Sequence, residues 1–375
     1  MKNISNLKKS KNKIVQEQIN ISVIIPIYNG EAFIKKCLDA LLVQKNIKNY
    51  EIIVIDDAST DNSLNIVNSY KLNNLKIFSL PSNSGPSAAR NLGLKKSLGE
   101  YIYFFDVDDS IDSSALEILY KTAKETNCDY VFSDFKKFEG QDNQRNGVYN
   151  YSNDTLFKNI DIVKAMKQEL HDASLGHLGL FGCNGRLIKR SLLEKNKIFF
   201  DEKLRWMEDK TFGWNILSHV KEARYIHKQL YSYYFHPNIK TNVIESLNRG
   251  SSLFYIKLIL DQVQNSLKTR LVPEVEIIKL RQQGLIFFSI QSLVTCSNQI
   301  FLKKINKITG KQIRKKLIKS ILEDEEVSQA IKVYSCSKSE SPWIPKAIYL
   351  KSPFLVEIAC DFRAKDIAKK RRSKQ

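Results

Sequence analysis

The stretch Tyr101-Ile-Tyr-Phe-Phe-Asp-Val-Asp-Asp109 decides how the chain is read, because an apolar run of strand character stops abruptly at three carboxylates. Acid at that point marks the place where a strand leaves the core. In an extended segment residues i and i+2 point the same way, so Asp106 and Asp108 are expected to face one cleft at the carboxyl edge of a sheet. Two carboxylates there can hold a hard divalent cation, and that cation can hold a diphosphate. The alternative for Asp108, Asp109 and Ser110 is structural: they would cap the helix that follows.

On either side of this stretch, residues 20–135 alternate strand and helix signals with short connections. Ile21-Ser-Val-Ile-Ile25, Glu51-Ile-Ile-Val-Ile55, Leu75 to Leu80 and Tyr130-Val-Phe-Ser133 read as strands. Glu31 to Val43 reads as a helix, with Phe33, Cys37, Leu38, Leu41 and Leu42 at helical spacing. Thr60 and Asp61 cap a second helix to about Tyr70, and Ser84 followed by Pro86 starts a third. A fourth spans Ser113 to Thr126. Near-continuous apolar strands separated by helices imply an α/β fold, a parallel sheet covered on both faces.

Ligands of such sheets bind beyond the carboxyl ends of the strands. Those ends are Pro26-Ile-Tyr-Asn29, Asp56-Asp57-Ala-Ser59, Pro81-Ser-Asn-Ser84 and Asp106 to Asp109, four polar loops on one rim. No G-x-G-x-x-G follows the first strand and no P-loop signature occurs, so neither a dinucleotide fold nor a P-loop enzyme is supported. The series Gly176, Gly179, Gly182, Gly185 has the wrong spacing for either and marks a close-packed, bent loop.

Beyond about Asn150 the pattern changes. A helix is expected around Asp161 to Leu170, and Glu208 and Asp209 open another that runs to about His219. A carboxylate pair at a helix N-terminus has a plain structural role, since the free N–H groups favour anions. Ala223 to Ile226 and Leu230 to Phe235 read as a short hairpin ending in His236-Pro237. From Glu245 the chain reads as mainly helical, over Leu253 to Val263, Pro273 to Ser297 and Ile313 to Leu322, with a basic tail.

With 375 residues, 43% hydrophobic and 26% charged, the composition is that of a globular protein. Residues 1–19 are expected to be a flexible basic arm, and the segment to Lys13 lacks the apolar stretch of a signal peptide. No window has the unbroken apolar length of a membrane span; Gly284 to Leu302, the nearest, is interrupted by polar residues and reads as a buried helix. Six scattered cysteines without metal spacing suit a reduced, cytoplasmic protein. Net charge is +19, and from Thr241 onward 25 Lys and Arg stand against 12 Asp and Glu, or +13. Such a surface attracts polyanions: anionic lipid, nucleic acid or phosphorylated carriers. Trp343, Tyr349, Phe354 and Phe362 alternate with Lys and Arg, which suits a helix on an anionic membrane surface; a tail packed on its own domain is the alternative.

Taken together, Ser22-Val-Ile-Ile-Pro-Ile-Tyr-Asn29, Ile53-Val-Ile-Asp-Asp-Ala-Ser-Thr-Asp61, Asn83-Ser-Gly-Pro-Ser-Ala-Ala-Arg-Asn91, Phe104-Phe-Asp-Val-Asp-Asp109 and Glu208-Asp209 resemble the family 2 glycosyltransferases of the GT-A fold. The resemblance covers about residues 20–240 and implies a Rossmann-like, mostly parallel sheet there, followed by the helical region from 241 to 375. It implies inverting transfer of a sugar from a nucleotide-diphosphate sugar, most often a UDP-sugar, to an acceptor hydroxyl, assisted by Mn²⁺ or Mg²⁺. Pro26 and Tyr28 then flank the base, Asp57 bonds it, and Asn83 and Arg90 are further nucleotide contacts. Asp106 resembles the ribose-binding acid and Asp108 the metal ligand, with His236 a candidate to complete the metal or diphosphate site. Asp209 resembles the catalytic base, and Glu208 could share that role or bind the acceptor. The chemistry asks for such a base, because an acceptor hydroxyl is a poor nucleophile until a carboxylate takes its proton. Where many relatives carry Trp-Gly-Lys, this chain has Asn184-Gly185-Arg186, which leaves the donor sugar open.

The expected setting is synthesis of a bacterial surface polysaccharide such as capsule, lipopolysaccharide or teichoic acid. The acceptor would be a glycan, lipid-linked or polymeric hydroxyl, and the enzyme cytoplasmic or peripheral on the inner membrane face. Self-association is left open. Nucleotidyl transfer is the enzymatic alternative, but it needs a glycine-rich, basic loop where this chain has Pro26-Ile-Tyr-Asn-Gly30. Nucleic-acid binding without catalysis has only the basic C-terminal third behind it, and the acidic rim would repel phosphates. No nucleic-acid partner is therefore expected.

Overall fold

The computed structural model describes residues 18–139, 143–147, 153–170, 181–204, 207–235, 252–303, 305–336 and 340–372. The strands are β1 (Ile21–Ile27), β2 (Tyr50–Asp56), β3 (Leu75–Ser79), β4 (Tyr101–Phe104), β5 (Ser110–Ile111), β6 (Tyr130–Glu139), β7 (Asn143–Gly147), β8 (Thr155–Phe157), β9 (Arg186–Lys189) and β10 (Ala223–Phe235). They form one sheet in the order β3-β2-β1-β4-β9-β6-β10-β5, with β7 beside β6 and β8 beside β10.

The first four strands of that order are parallel, as their sequences imply. The rest is mixed, in keeping with the mostly parallel sheet expected. Strand β9 runs antiparallel to both β4 and β6, whereas β6 and β10 are parallel. The cause lies in β9: it starts at the rim, where Asn184 bridges Phe104, and runs back into the sheet. The expected hairpin over 223–235 is instead one strand, pairing with β6 along its length. Irregular register at Ile226, Gln229 and Tyr231 absorbs the residues read as a turn. Between them His227-Lys228-Gln229 offers no glycine or asparagine for the positive φ of a tight hairpin.

Strand β1 alternates. Ile21, Val23, Ile25 and Ile27 face one apolar cluster with helix α1 (Ile34–Leu42) and helix α4 (Ala115–Thr126), while Ile24 faces another. Both faces are therefore dry, as β-branched runs demand. Helix α1 buries Ile34, Cys37, Leu38 and Leu41, the i, i+3, i+4, i+7 stripe of an amphipathic helix. Helix α2 is Ser63–Ser69 and α3 is Pro86–Lys96, with Pro86 in its first turn and Gly85 before it at φ 89°. Helix α5 is Asn159–Glu169, α6 is Arg190–Lys195 and α7 is Glu208–Leu217.

After β10 come α8 (Leu253–Thr269), α9 (Glu274–Phe301), α10 (Lys307–Glu323), α11 (Glu325–Val333), α12 (Trp343–Tyr349) and α13 (Pro353–Arg372). These helices share a core with the second face of the sheet, in which Ile24, Phe104 and Trp214 join Leu260, Leu293 and Ile344. The change of character placed at residue 240 falls outside the described residues. Among those described, α9 alone is long and apolar enough to cross a membrane, and 61% of its most apolar window is buried inside the fold. That burial makes it a core helix here, as the sequence implied for Gly284 to Leu302. Five of the six cysteines, Cys37, Cys128, Cys183, Cys296 and Cys360, are buried thiols, and Cys336 is exposed.

Candidate active site

The carboxyl ends of β1 to β4 converge on one rim and are laced together by side chains. Asn29, at φ 49°, receives the Thr60 N–H on its Oδ1 at 2.8 Å. Ser63 Oγ accepts from Gly30 N at 2.8 Å, which ties the loops after β1 and β2 together. Pro26 is half-buried, while Tyr28 is 49% exposed and Asn83 is exposed, giving open walls to this end of the rim. Asp57 is buried, and its two carboxylate oxygens accept from Ser84 N at 2.7 Å and Gly85 N at 2.8 Å. It thus fixes the start of α3, an anion at a helix N-terminus, and each oxygen keeps a second lone pair toward the rim.

Asp106 to Asp109 is not an extended segment. Asp109 N donates to Asp106 O at 3.1 Å, closing a turn, so the alternation that would set Asp106 beside Asp108 does not apply. The three carboxylates instead have separate surroundings. Asp106 accepts from Arg90 Nη2 at 2.8 Å on one oxygen and from Asn184 Nδ2 on the other. Asp109 is buried, accepting from the Tyr231 hydroxyl and from Tyr234 N at 3.0 Å. Burial, and then the Asp106 charge, push the Asp109 carboxyl well up. Asp109 ties the turn to β10 and does not cap a helix; just before α4, Asp112 accepts from the N–H of Ser114 at 2.9 Å, and α4 starts without a side-chain cap.

Arg90 links this turn to α7. It is 5% exposed, pairs with Asp106, and its Nη1 lies 3.7 Å from Glu208 Oε1. Burial opposes its charge, but the neighbouring acids outweigh that and raise its pKa. The guanidinium stacks 5.4 Å over the Phe200 ring, whose backbone is clamped by Asn91 through bonds of 2.9 and 3.0 Å. Glu208 is mostly buried. Burial and the adjacent Asp209 raise its pKa, while Arg90 pulls it down. Asp209, partly exposed beside it, accepts from Lys210 N at 2.7 Å. The far end of α7 is fastened by the helical region, where Arg270 Nε donates to Leu217 O at 2.8 Å.

Pro26, Tyr28, Asp57, Asn83, Arg90, Asp106, Asp108, Glu208 and Asp209 thus lie on the loops and helix ends of one rim, with Arg90 joining Asp106 directly to Glu208. His236 lies outside the described residues. Sequence reasoning missed Asn184, Asn91 and Tyr231, which hold the site from 78, 109 and 122 residues away along the chain. The change from Trp-Gly-Lys to Asn184-Gly185-Arg186 was the one available signal for Asn184. Tyr233, 40% exposed, is a further neighbour on β10, next to Tyr234, from whose N–H Asp109 accepts; burial, and then the charges of Asp109, Asp108, Asp106 and Asp209, raise its hydroxyl pKa.

Among the described residues no three His, Cys, Asp or Glu side chains converge as a metal cage. Asp106 and Asp109 carry protein donors on both oxygens. A hard cation bound with a nucleotide needs only one or two carboxylates and takes its remaining ligands from phosphate and water. Asp108 in an acidic turn supplies oxygen chemistry of that kind.

A mixed sheet with an acidic turn at its centre and a carboxylate pair at the start of α7 is the architecture of the GT-A fold. Residues 22–197 match the model of glycosyl transferase family 2. It is 36% identical over 221 residues to the poly(ribitol-phosphate) beta-glucosyltransferase of Bacillus spizizenii, covering 58% of this chain and 32% of that protein. It is 28% identical over 343 residues to the cholesterol galactosyltransferase of Borreliella burgdorferi, covering 87% of this chain and 88% of that one. In structure it resembles residues 1–349 of S. aureus TarS in complex with UDP-GlcNAc, with a TM-score of 0.66, 19% identity, and coverage of 93% and 92% of the two chains. The chain covers less than two thirds of the length of several curated relatives it matches.

Proposed function

We propose that the protein transfers a sugar, with inversion, from a UDP-sugar to a hydroxyl of a surface-polymer acceptor of the polyol-phosphate, teichoic-acid kind. Its place would be the cytoplasm, at the inner face of the membrane. The observation that carries this reading is the Arg90 bridge, which brings Asp106 of the acidic turn and Glu208 of the α7 start to opposite ends of one guanidinium. Support for the donor and acceptor comes from the names of the relatives, one acting on poly(ribitol-phosphate) and one similar fold in complex with UDP-GlcNAc.

In this reading Pro26 and Tyr28 flank the base, Asp57 and Asn83 contact it, and Asp106 receives the ribose while Arg90 holds that acid in place. Asp108, with His236, would hold Mn²⁺ or Mg²⁺. When bound, the cation supplies neutralisation of the departing diphosphate. Asp209 takes the proton of the acceptor hydroxyl as it attacks. The pairing supports this assignment: Glu208 is engaged by Arg90, whereas Asp209 stands next to it at the helix start without a cation on its carboxylate among the described residues. Displacement with inversion needs nothing covalent from the protein, only a base on one face of the sugar and a stabilised leaving group on the other.

The test is thermal stability of the full chain against nucleotides and nucleotide sugars, with and without Mn²⁺. A ligand at a hundred times its dissociation constant stabilises by about 2.7 kcal/mol. A metal-dependent rise with UDP and one UDP-sugar, and transfer of that sugar to a poly(ribitol phosphate) acceptor, is expected. A rise with no nucleoside diphosphate would refute the reading.

A further inference from the structure

Helix α13 has two apolar faces. Val356, Ala359, Cys360 and Ala364 are buried against the rest of the fold. On the opposite side Phe354, Leu355, Ile358 and Phe362 recur at i, i+1, i+4 and i+8 and stay in the open, Phe354 at 70% and Phe362 at 69% exposure. Trp343 of α12 and Leu350 just after it extend this face, 66% and 55% exposed, around a cavity of about 460 Å³ lined mainly by apolar side chains, with Lys346 and Ser341 at it. An apolar helix face of that kind, once the core is satisfied, calls for a partner.

Charge identifies the partner. Phe362 is shared with a neighbouring recess that also takes in Phe301, Lys365 and Lys369. Phe301 and Lys365 in turn line a cavity of about 580 Å³ with Lys303, Lys307, Lys311 and Arg314. Lys303, Lys307 and Lys311 are exposed and make no ion pair among the described residues. Arg314 is 2% exposed, pairs with Asp361, and its Nε has no hydrogen-bond partner among the described residues. Lys346 lies 5.6 Å from the Trp343 ring and Lys365 lies 5.9 Å from the Phe362 ring, so cations and aromatics are interleaved. Phe301, Leu302 and Ile308 add exposed apolar side chains between the lysines.

We infer that this continuous surface, apolar along α12 and α13 and cationic at the α9–α10 corner, is the docking face for an anionic phospholipid membrane. Aromatic rings enter the headgroup boundary while the lysine pocket receives lipid phosphates, as interfacial helices with basic flanks do. A second copy of the chain is the disfavoured occupant, because apposing two such faces brings like charges together. The inference deepens the peripheral placement proposed above and does not depend on which sugar or acceptor is used.

Sedimentation of the full chain with vesicles of phosphatidylcholine alone, or mixed with phosphatidylglycerol, tests this. Binding is expected only to the anionic vesicles and should fall as salt rises. The triple change Lys303→Glu, Lys307→Glu and Lys311→Glu should weaken it by about fivefold or more per lysine, from the attraction of each basic residue near an anionic surface. Trp343→Ser with Phe362→Ser should weaken it while leaving the melting temperature unchanged, since both rings are exposed. The UDP-dependent stability rise should persist in every variant, which separates failure of docking from failure of the donor site. Equal binding to neutral vesicles, no loss in the charge variant, or a concentration-dependent dimer broken by the same changes would overturn the inference.

Discussion

Arg90→Met removes the buried cation that joins two partly buried acids, and the consequence should depend on pH in a defined direction. The side chain is 5% exposed, bonded to Asp106 at 2.8 Å and 3.7 Å from Glu208. Removing one member of a buried ion pair typically costs about 3–5 kcal/mol, because the charge left behind is unpaired in a poorly solvated place. Glu208 reports the effect. Its pKa is already raised by burial and by Asp209, with Arg90 holding it down; without Arg90 it rises further. A carboxylate with a raised folded-state pKa favours folding where it is protonated, and that contribution is lost as pH rises through the folded pKa. The deficit of the variant should therefore be greatest on the alkaline side of the new Glu208 pKa, toward mildly alkaline pH. Below that pKa it should shrink by about 1.4 kcal/mol per pH unit until the parent's own raised Glu208 pKa is reached, and on the acidic side of that point both chains titrate alike. Urea unfolding followed by circular dichroism across that range measures it. A deficit below about 1 kcal/mol, or one that is the same at both ends of the range, would refute the bridging role.

Asp209→Asn should abolish transfer while leaving donor-induced stabilisation intact, and Asp108→Asn should lose the metal-dependent part of donor binding; equal loss of donor affinity in both would undo that division of labour. Gly185→Ala should destabilise by about 2–4 kcal/mol, from left-handed strain plus overpacking, because Gly185 sits at φ 69° and an added Cβ would lie 2.9 Å from the Tyr231 ring. A melting temperature equal to that of the parent chain would show that the loop can relax. Arg270→Ala leaves the Leu217 carbonyl at the end of α7 without its donor and should cost about 1–3 kcal/mol, read by urea midpoint, with transfer falling as α7 loosens. Unchanged activity would separate the helical region from the site.

The β/α alternation to Ser133, the position of Pro86 at the start of α3, the buried stripe of α1 and the rim loops were all legible in the sequence. Each rests on a period or a cap contained within a few residues. The GT-A assignment followed because its motifs sit one per strand end. The individual carboxylates were not legible in the same way. Asp106, Asp108 and Asp109 look like one strand-end cluster in the chain, yet the turn gives Asp106 to Arg90 and Asn184, and gives Asp109 to Tyr231.

The sequence alone therefore determined the sheet's first half, the acidic rim and the basic, helical character of the last third. Only the tertiary structure decided the direction of β9, the unbroken path of β10, the engagement of Glu208 by Arg90, and which apolar side chains of α13 are left outside. Local propensity acts over a turn or a pleat. Strand direction, ion pairing and burial are set by which surfaces meet across a hundred residues of chain, and hydrophobic periodicity on α13 is the same for the face that packs and the face that does not.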